Sequence, residues 1–383
     1  MKKNKENVEE LTPCEEEFVK TKKYGFGLLD SSFAIILGAI VLPIIVSILV
    51  SGVISLCTGE TSSEYQSNPI AYAILSISAP LAYMIFLLVI IKRRKKEQQR
   101  SQFESYSFSN FIKLKRPKTA LVLMCVAIGV ISLIMVNAFV STATAGLQSM
   151  GYSKSNDFPF KIDNFGVLLL SLIFFCAIPA IAEEFIFRGI ILGGLLNNTK
   201  NSKQIFLAIL FSALIFALCH QSAQQFVYPL IMGVVFGLVY VITGNLWYNV
   251  IIHFTSNALV ILISFFYNLT GINLYGNVDV VYGVISIFLL IAFGFLMFFI
   301  LKFLRKKMKN QSVLDVDNCD INKDKIQDDL AENLQDLKYK DEYGIVNYKY
   351  PKEKKDKFAY IFLFIDICLL IFILIVDLVT YLR

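Results

Sequence analysis

Residues 178–189 read Ile-Pro-Ala-Ile-Ala-Glu-Glu-Phe-Ile-Phe-Arg-Gly, two adjacent carboxylates and an arginine set in sequence otherwise suited to lipid. An ionised side chain at the centre of a spanning helix costs about 2.5–3.5 kcal/mol on insertion scales, so it persists with a partner or a purpose. Glu184 and Arg188 stand four residues apart on one helical face and can pair. Glu183 points about 100° away from Glu184 and has no such local cation. The spacing therefore gives Glu184–Arg188 the task of holding the helix and leaves Glu183 free for chemistry. The plainer alternative is a charged helix end snorkelling to the membrane interface.

Only two histidines occur in the chain, and both follow Glu183 in its apolar half. Phe216 precedes His220 by four residues, and Asn257 follows His253 by four, so each pair shares a helical face. A lone membrane histidine is as often a hydrogen-bonded packing residue as a functional one. Two of them, with a Glu-Glu pair and an asparagine, supply more. They bring a carboxylate base, imidazoles able to bind metal or move protons, and an amide donor.

These residues need helices to position them. The chain has 383 residues, 56% hydrophobic and only 17% charged, with mean hydropathy +0.62. That is beyond globular usage and points to an all-α, polytopic membrane bundle of about eight core spans plus a ninth at the C-terminus. No cleavable signal segment is apparent in the Lys- and Glu-rich residues 1–30. The net charge of +6 does not point to nucleic acid, because the cations cluster in loops beside spans. Seven scattered cysteines without a CxxC pattern suggest neither a disulfide framework nor a thiolate metal site, and Cys219 reads as packing.

Expected spans cover about 32–56, 70–91, 120–147, 165–196, 204–220, 226–242, 246–266, 280–301 and 358–382. The fourth is longer than a bilayer needs and is expected to tilt, or to break near Pro179. Basic runs at 92–118 and 302–307 agree on one orientation, with the N-terminus cytoplasmic and the C-terminus outside. The organisation expected is a cytoplasmic tail (1–30), two spans with the basic cytoplasmic loop (31–118), a core (119–303), a charged cytoplasmic insert (304–357) and a last span (358–383). The insert, rich in Asp, Lys, Asn and Gln, suggests disorder or weak helix. Small-xxx-small pairs at Gly189/Gly193 and Gly233/Gly237 suggest close helix packing. An antiparallel pair could bring Glu183 and His220 to similar depth, whereas His253, about eight residues past its turn, would lie shallower.

Three ordered motifs, EExxxR (Glu183, Glu184, Arg188), FxxxH (Phe216, His220) and HxxxN (His253, Asn257), resemble the CPBP family over about residues 120–300. This is the Abi, or CAAX protease and bacteriocin-processing, group of intramembrane proteases. The resemblance implies hydrolysis of a peptide bond, after a prenylated cysteine in eukaryotic relatives and in varied substrates in bacteria. It implies that Glu183 activates water with help from His220, that His253 and Asn257 stabilise the oxyanion, and that Glu184, Arg188 and Phe216 support the site. The cofactor is open: either none is required, or zinc sits on Glu183, His220 and His253 with water in the fourth position. Partners expected are a peptide or protein substrate at the membrane and the lipid bilayer, with no nucleic acid. A non-hydrolytic adaptor or bacteriocin-immunity protein on the same scaffold, and a transporter or proton relay, are the competing readings.

Overall fold

The computed structural model describes residues 28–61, 66–100, 113–153, 159–197, 202–272, 280–307, 338–340, 346–348 and 354–382. Among them are α1 (Leu29–Thr58), α2 (Pro69–Arg93, its last turns running on to Arg100), α3 (Thr119–Ser149), α4 (Phe165–Leu196) and α5 (Ser202–Leu218). These are followed by α6 (Val227–Thr243), α7 (Leu246–Thr270), α8 (Val280–Lys307) and α9 (Lys354–Tyr381). Seven are long and apolar enough to cross a membrane. The other two, α5 and α6, have 17 residues each, about 25 Å at 1.5 Å per residue against a hydrocarbon core of ~30 Å. All nine expected segments are thus helical, but the pair that follows the Glu-Glu motif is short.

The outside of the bundle is apolar. Leu49, Leu56, Phe288, Phe295, Phe299, Phe364 and Val379 are each more than half exposed, which suits lipid and not water. Inside, Ile128, Ile186, Ile190, Val239, Tyr240 and Ile252 are fully buried in one continuous core.

Glycines set the closest helix approaches. A Cβ on Gly233 would lie 2.8 Å from Ala213 Cα, and one on Gly237 would lie 2.6 Å from Ile209 Cγ2. The Gly233/Gly237 pattern therefore lets α6 seat directly on α5. Gly193 is not required in the same way, since its Cβ would make an ordinary 3.6 Å contact.

Helix α4 does not break at Pro179. It runs through the proline with two π-helical stretches, Leu172–Ala177 just before it and Phe185–Leu192 just after the two glutamates. Proline removes one backbone donor, and the wider turn lies directly upstream of it. Such π insertions are uncommon and recur at functional sites.

At one end of the bundle, Gly244 (φ +56°) ends α6 in the left-handed region that glycine tolerates. Asn245 then caps α7, its Oδ1 accepting from Trp247 N at 3.1 Å, while its Nδ2 donates to Lys115 O at 2.8 Å. Leu246 N donates to Lys113 O (3.1 Å), and Lys118 N donates to Tyr248 Oη (3.0 Å). The stretch ahead of α3 is thereby stitched to the α6–α7 turn.

Most of the charged insert lies outside the described residues, as do the N-terminal tail and Cys14 and Cys319. Within the insert, where disorder or weak helix was expected, β1 (Lys338–Lys340) pairs antiparallel with β2 (Val346–Tyr348). The five described cysteines are free.

Candidate active site

The ion pair expected from spacing is formed. Arg188 Nη1 donates to Glu184 Oε1 at 2.9 Å, with both side chains completely buried. The guanidinium is further held between two aromatic faces, 4.4 Å from the Phe216 ring centroid and 4.8 Å from that of Phe236. Its Nη2 reaches the carbonyl of Gly233 at 3.5 Å.

Glu184 is saturated. Besides Arg188, its Oε1 lies 3.0 Å from His253 Nδ1, and its Oε2 accepts from Asn249 Nδ2 at 3.4 Å. Asn249 also donates to Phe236 O at 2.8 Å. This is how a carboxylate survives burial: a cation, an imidazole and an amide replace the water it lost.

Glu183 is different in every respect. Its side chain is 19% exposed, and its Oε2 has no hydrogen-bond partner. That oxygen stands 3.8 Å from His253 Nε2. The His253 ring, stacked on Phe236 (centroids 5.3 Å apart, 25° between planes), is thus aimed by Glu184 at one nitrogen and faces Glu183 with the other.

His253 does not lie shallower than the glutamates, as residue counting suggests it should. The count assumes 1.5 Å per residue on both helices, but eight of the residues between Glu184 and the end of α4 are π-helical. Wider i→i+5 turns break that regular count, and the 3.0 Å contact of His253 Nδ1 with Glu184 Oε1 puts the two side chains at one level.

His220 lies just beyond α5, which ends at Leu218, and not within a span reaching 220. The chain turns sharply there, with Gln221 at φ +51°. The His220 Nδ1 is 2.8 Å from the carbonyl of Phe216. Phe216 bridges the histidines, its ring edge-on to His220 (5.0 Å) and to His253 (6.0 Å). Both histidines therefore converge on one aromatic side chain, although His220 makes no ion pair with Glu183 among the described residues. Asn257, one turn beyond His253, is half-buried and takes no hydrogen bond among the described residues.

Glu183, His220 and His253 were candidate zinc ligands. As placed they do not fit: no group of three His, Cys, Asp or Glu among the described residues is set to hold a metal ion. Glu184 meets His253 at Nδ1 and a carbonyl meets His220 at Nδ1, which leaves Nε2 as the open nitrogen of each ring.

Two members of the cluster were not anticipated. Asn249 stands four residues before His253, so Asn249, His253 and Asn257 form one stripe on α7, and that i,i+4 spacing was legible. Phe236 gave no local signal, because its role comes from the packing of α6 on α4.

Fold and cluster together define a polytopic helical membrane protein with a polar site inside the bundle. Residues 165–259 match the family model described as Type II CAAX prenyl endopeptidase Rce1-like. Over 93 residues the chain is 36% identical to the membrane-embedded CAAX protease MroQ of Staphylococcus aureus (strain USA300). That alignment covers 24% of this chain and 38% of the relative. No solved structure matches the chain. Through the segment from α4 to α7 the chain is therefore similar to CAAX-type membrane proteases.

Proposed function

We propose that this protein is an intramembrane endopeptidase in which Glu183 activates a water molecule. The observation that carries the reading is the contrast within the Glu-Glu pair. Glu184 is consumed by Arg188, His253 and Asn249, whereas Glu183 keeps an unpartnered oxygen facing the same imidazole.

In this mechanism Glu183 takes a proton from water, and the resulting hydroxide attacks the peptide carbonyl. The tetrahedral oxyanion is met by the free amide of Asn257, joined by His253 Nε2 when that nitrogen carries a proton. Collapse breaks the C–N bond, and the proton held by Glu183, relayed with the help of His220, passes to the departing amine. Glu184 contributes by fixing the tautomer and direction of His253, and Arg188 by holding Glu184. The substrate class proposed is a peptide or protein segment at the membrane. Substrates of the bacteriocin-peptide kind fit that description, as does a C-terminal segment bearing a lipidated cysteine. The protein acts within the bilayer with its N-terminus cytoplasmic and its C-terminus outside.

The test is cleavage of a fluorogenic peptide panel by purified protein in detergent, comparing wild type with Glu183→Gln, with and without chelator. Activity that survives chelation but is lost in Glu183→Gln supports the mechanism. Activity abolished by chelator and restored by zinc would overturn the metal-free assignment and move Glu183 from base to ligand. Cleavage unchanged in Glu183→Gln would overturn the role of Glu183 itself.

A further inference from the structure

Helix α9 lies outside the family match, yet it reaches the turn that carries His220. Its buried stripe is Ala359, Leu363, Asp366, Leu370 and Asp377, spaced so that all five share one helical face. Asp377 is 7% exposed. Its Oδ2 accepts from Tyr152 Oη at 2.7 Å and from the backbone N–H of Ala223 at 2.9 Å. Tyr152 follows α3, and Ala223 lies three residues after His220, so one carboxylate ties together the ends of α3, α5 and α9. The same junction is reinforced by backbone: Ser153 N donates to Tyr381 O at 2.9 Å, and Tyr152 forms an isolated antiparallel bridge with Leu382.

The turn needs such a clasp. Gln221 is one of two described non-glycine residues with positive φ, a conformation that costs about 1 kcal/mol or more and persists only where surroundings impose it. The N–H groups of His220 and Gln221 close back on α5, to Ala217 O (3.2 Å) and Leu218 O (3.1 Å). Ala223 N instead turns outward to α9. Without Asp377 the connection from His220 to α6 loses the acceptor that fixes its direction.

We propose that Asp377, with Tyr152, is a positioning residue for His220, so that α9 is a working part of the site and not only an added anchor. The inference rests on the reading of His220 as a participant in hydrolysis, but its geometry is testable apart from activity. Cys219, next to His220, is a native reporter. Maleimide labelling of Cys219, followed by mass spectrometry of its peptide with Cys57 as internal control, reads the turn directly.

Asp377→Leu should raise the labelling rate of Cys219 severalfold while that of Cys57 stays constant. It should also lower kcat about ten- to a hundredfold with KM little changed. Asp377→Asn, which keeps an acceptor oxygen for both donors, should restore both readouts. Tyr152→Phe removes one of the two bonds and should give a smaller change in the same direction, and it serves where Asp377→Leu does not accumulate. Unchanged Cys219 labelling in both Asp377→Leu and Tyr152→Phe would overturn the clasp. Increased labelling with kcat unaltered would overturn the positioning of His220. If wild type cleaves nothing, the proposed function fails while the labelling result still decides whether α9 holds the turn.

Discussion

Helices α4 and α9 each carry two carboxylates into an apolar bundle, and they satisfy them by different means. In α4, Glu184 meets a buried guanidinium, an imidazole and an amide within one turn and one neighbouring helix. In α9, Asp377 accepts from a phenol and a backbone amide brought from 225 and 154 residues away. Each helix also keeps one acid with an unmet oxygen, Glu183 Oε2 in α4 and Asp366 Oδ1 in α9. Both oxygens are themselves buried, but the carboxyl side chains that carry them differ in setting. Glu183 is partly exposed beside an oriented histidine, whereas Asp366 is completely buried and has Ser32 Oγ 3.2 Å from its other oxygen. A free carboxylate is a candidate for chemistry where substrate can reach it. The same group sealed in a helix interface is a packing element with a polar edge.

The largest effect expected breaks the comparison at Glu183. Glu183→Gln should lower kcat by roughly 10²–10⁴, the usual contribution of a positioned general base. Because Glu183 supports no buried ion pair with Arg188, the variant should accumulate and unfold like wild type. Steady-state cleavage together with a thermal midpoint in detergent checks both halves of that statement.

Glu184 and Arg188 should behave the opposite way. Arg188→Met leaves a buried carboxylate short of its cation, for which the cost is about 3–5 kcal/mol. Adding Glu184→Gln to that variant should recover part of the loss, since the uncompensated charge disappears. Denaturant or thermal unfolding of the single and double variants measures the coupling. Additive losses would show that the pair does not act as a unit.

The same contrast explains what was legible in the sequence. The i,i+4 geometry of Glu184 and Arg188 is local, so counting residues along one helix sufficed. The nine hydrophobic segments were legible because lipid demands helical, apolar spans. The level of His253 was not, because counting residues assumed a regular α-helix, whereas Phe185–Leu192 after Glu184 is π-helical. The end of α5 was also misplaced by two residues, since the chain turns at His220–Gln221 with no glycine or proline there to mark it. Asp366 and Asp377 are ionisable residues in an apolar run, a signal that the sequence analysis did not use. Their partners were not legible, lying on segments remote in the chain.

A smaller effect is expected at Asn249. Asn249→Leu removes the donor to Glu184 Oε2 and the extra donor to the helical carbonyl of Phe236, and the carboxylate oxygen left dry costs about 1–3 kcal/mol. Arg188 and His253 still hold Glu184, so the loss should stay below that of Arg188→Met, and unfolding midpoints give the order. A larger loss at Asn249 would mean that the amide, and not the guanidinium, is the main support of Glu184.

The smallest effect is expected at Asp366, and it is the sharpest test of the distinction between the two unmet oxygens. Asp366→Asn keeps an acceptor for Ser32 Oγ and removes a carboxylate with no ion pair among the described residues. Stability should therefore change by less than about 1 kcal/mol, since the hydrogen bond survives and only the unpartnered edge is altered. Cleavage should be unchanged, because the group is sealed between α1 and α9 and touches no part of the Glu183 cluster. A loss of kcat approaching that of Glu183→Gln, at an unaltered unfolding midpoint, would overturn this. It would place a second functional carboxylate on α9 and make burial a poor guide to which intramembrane acids do chemistry.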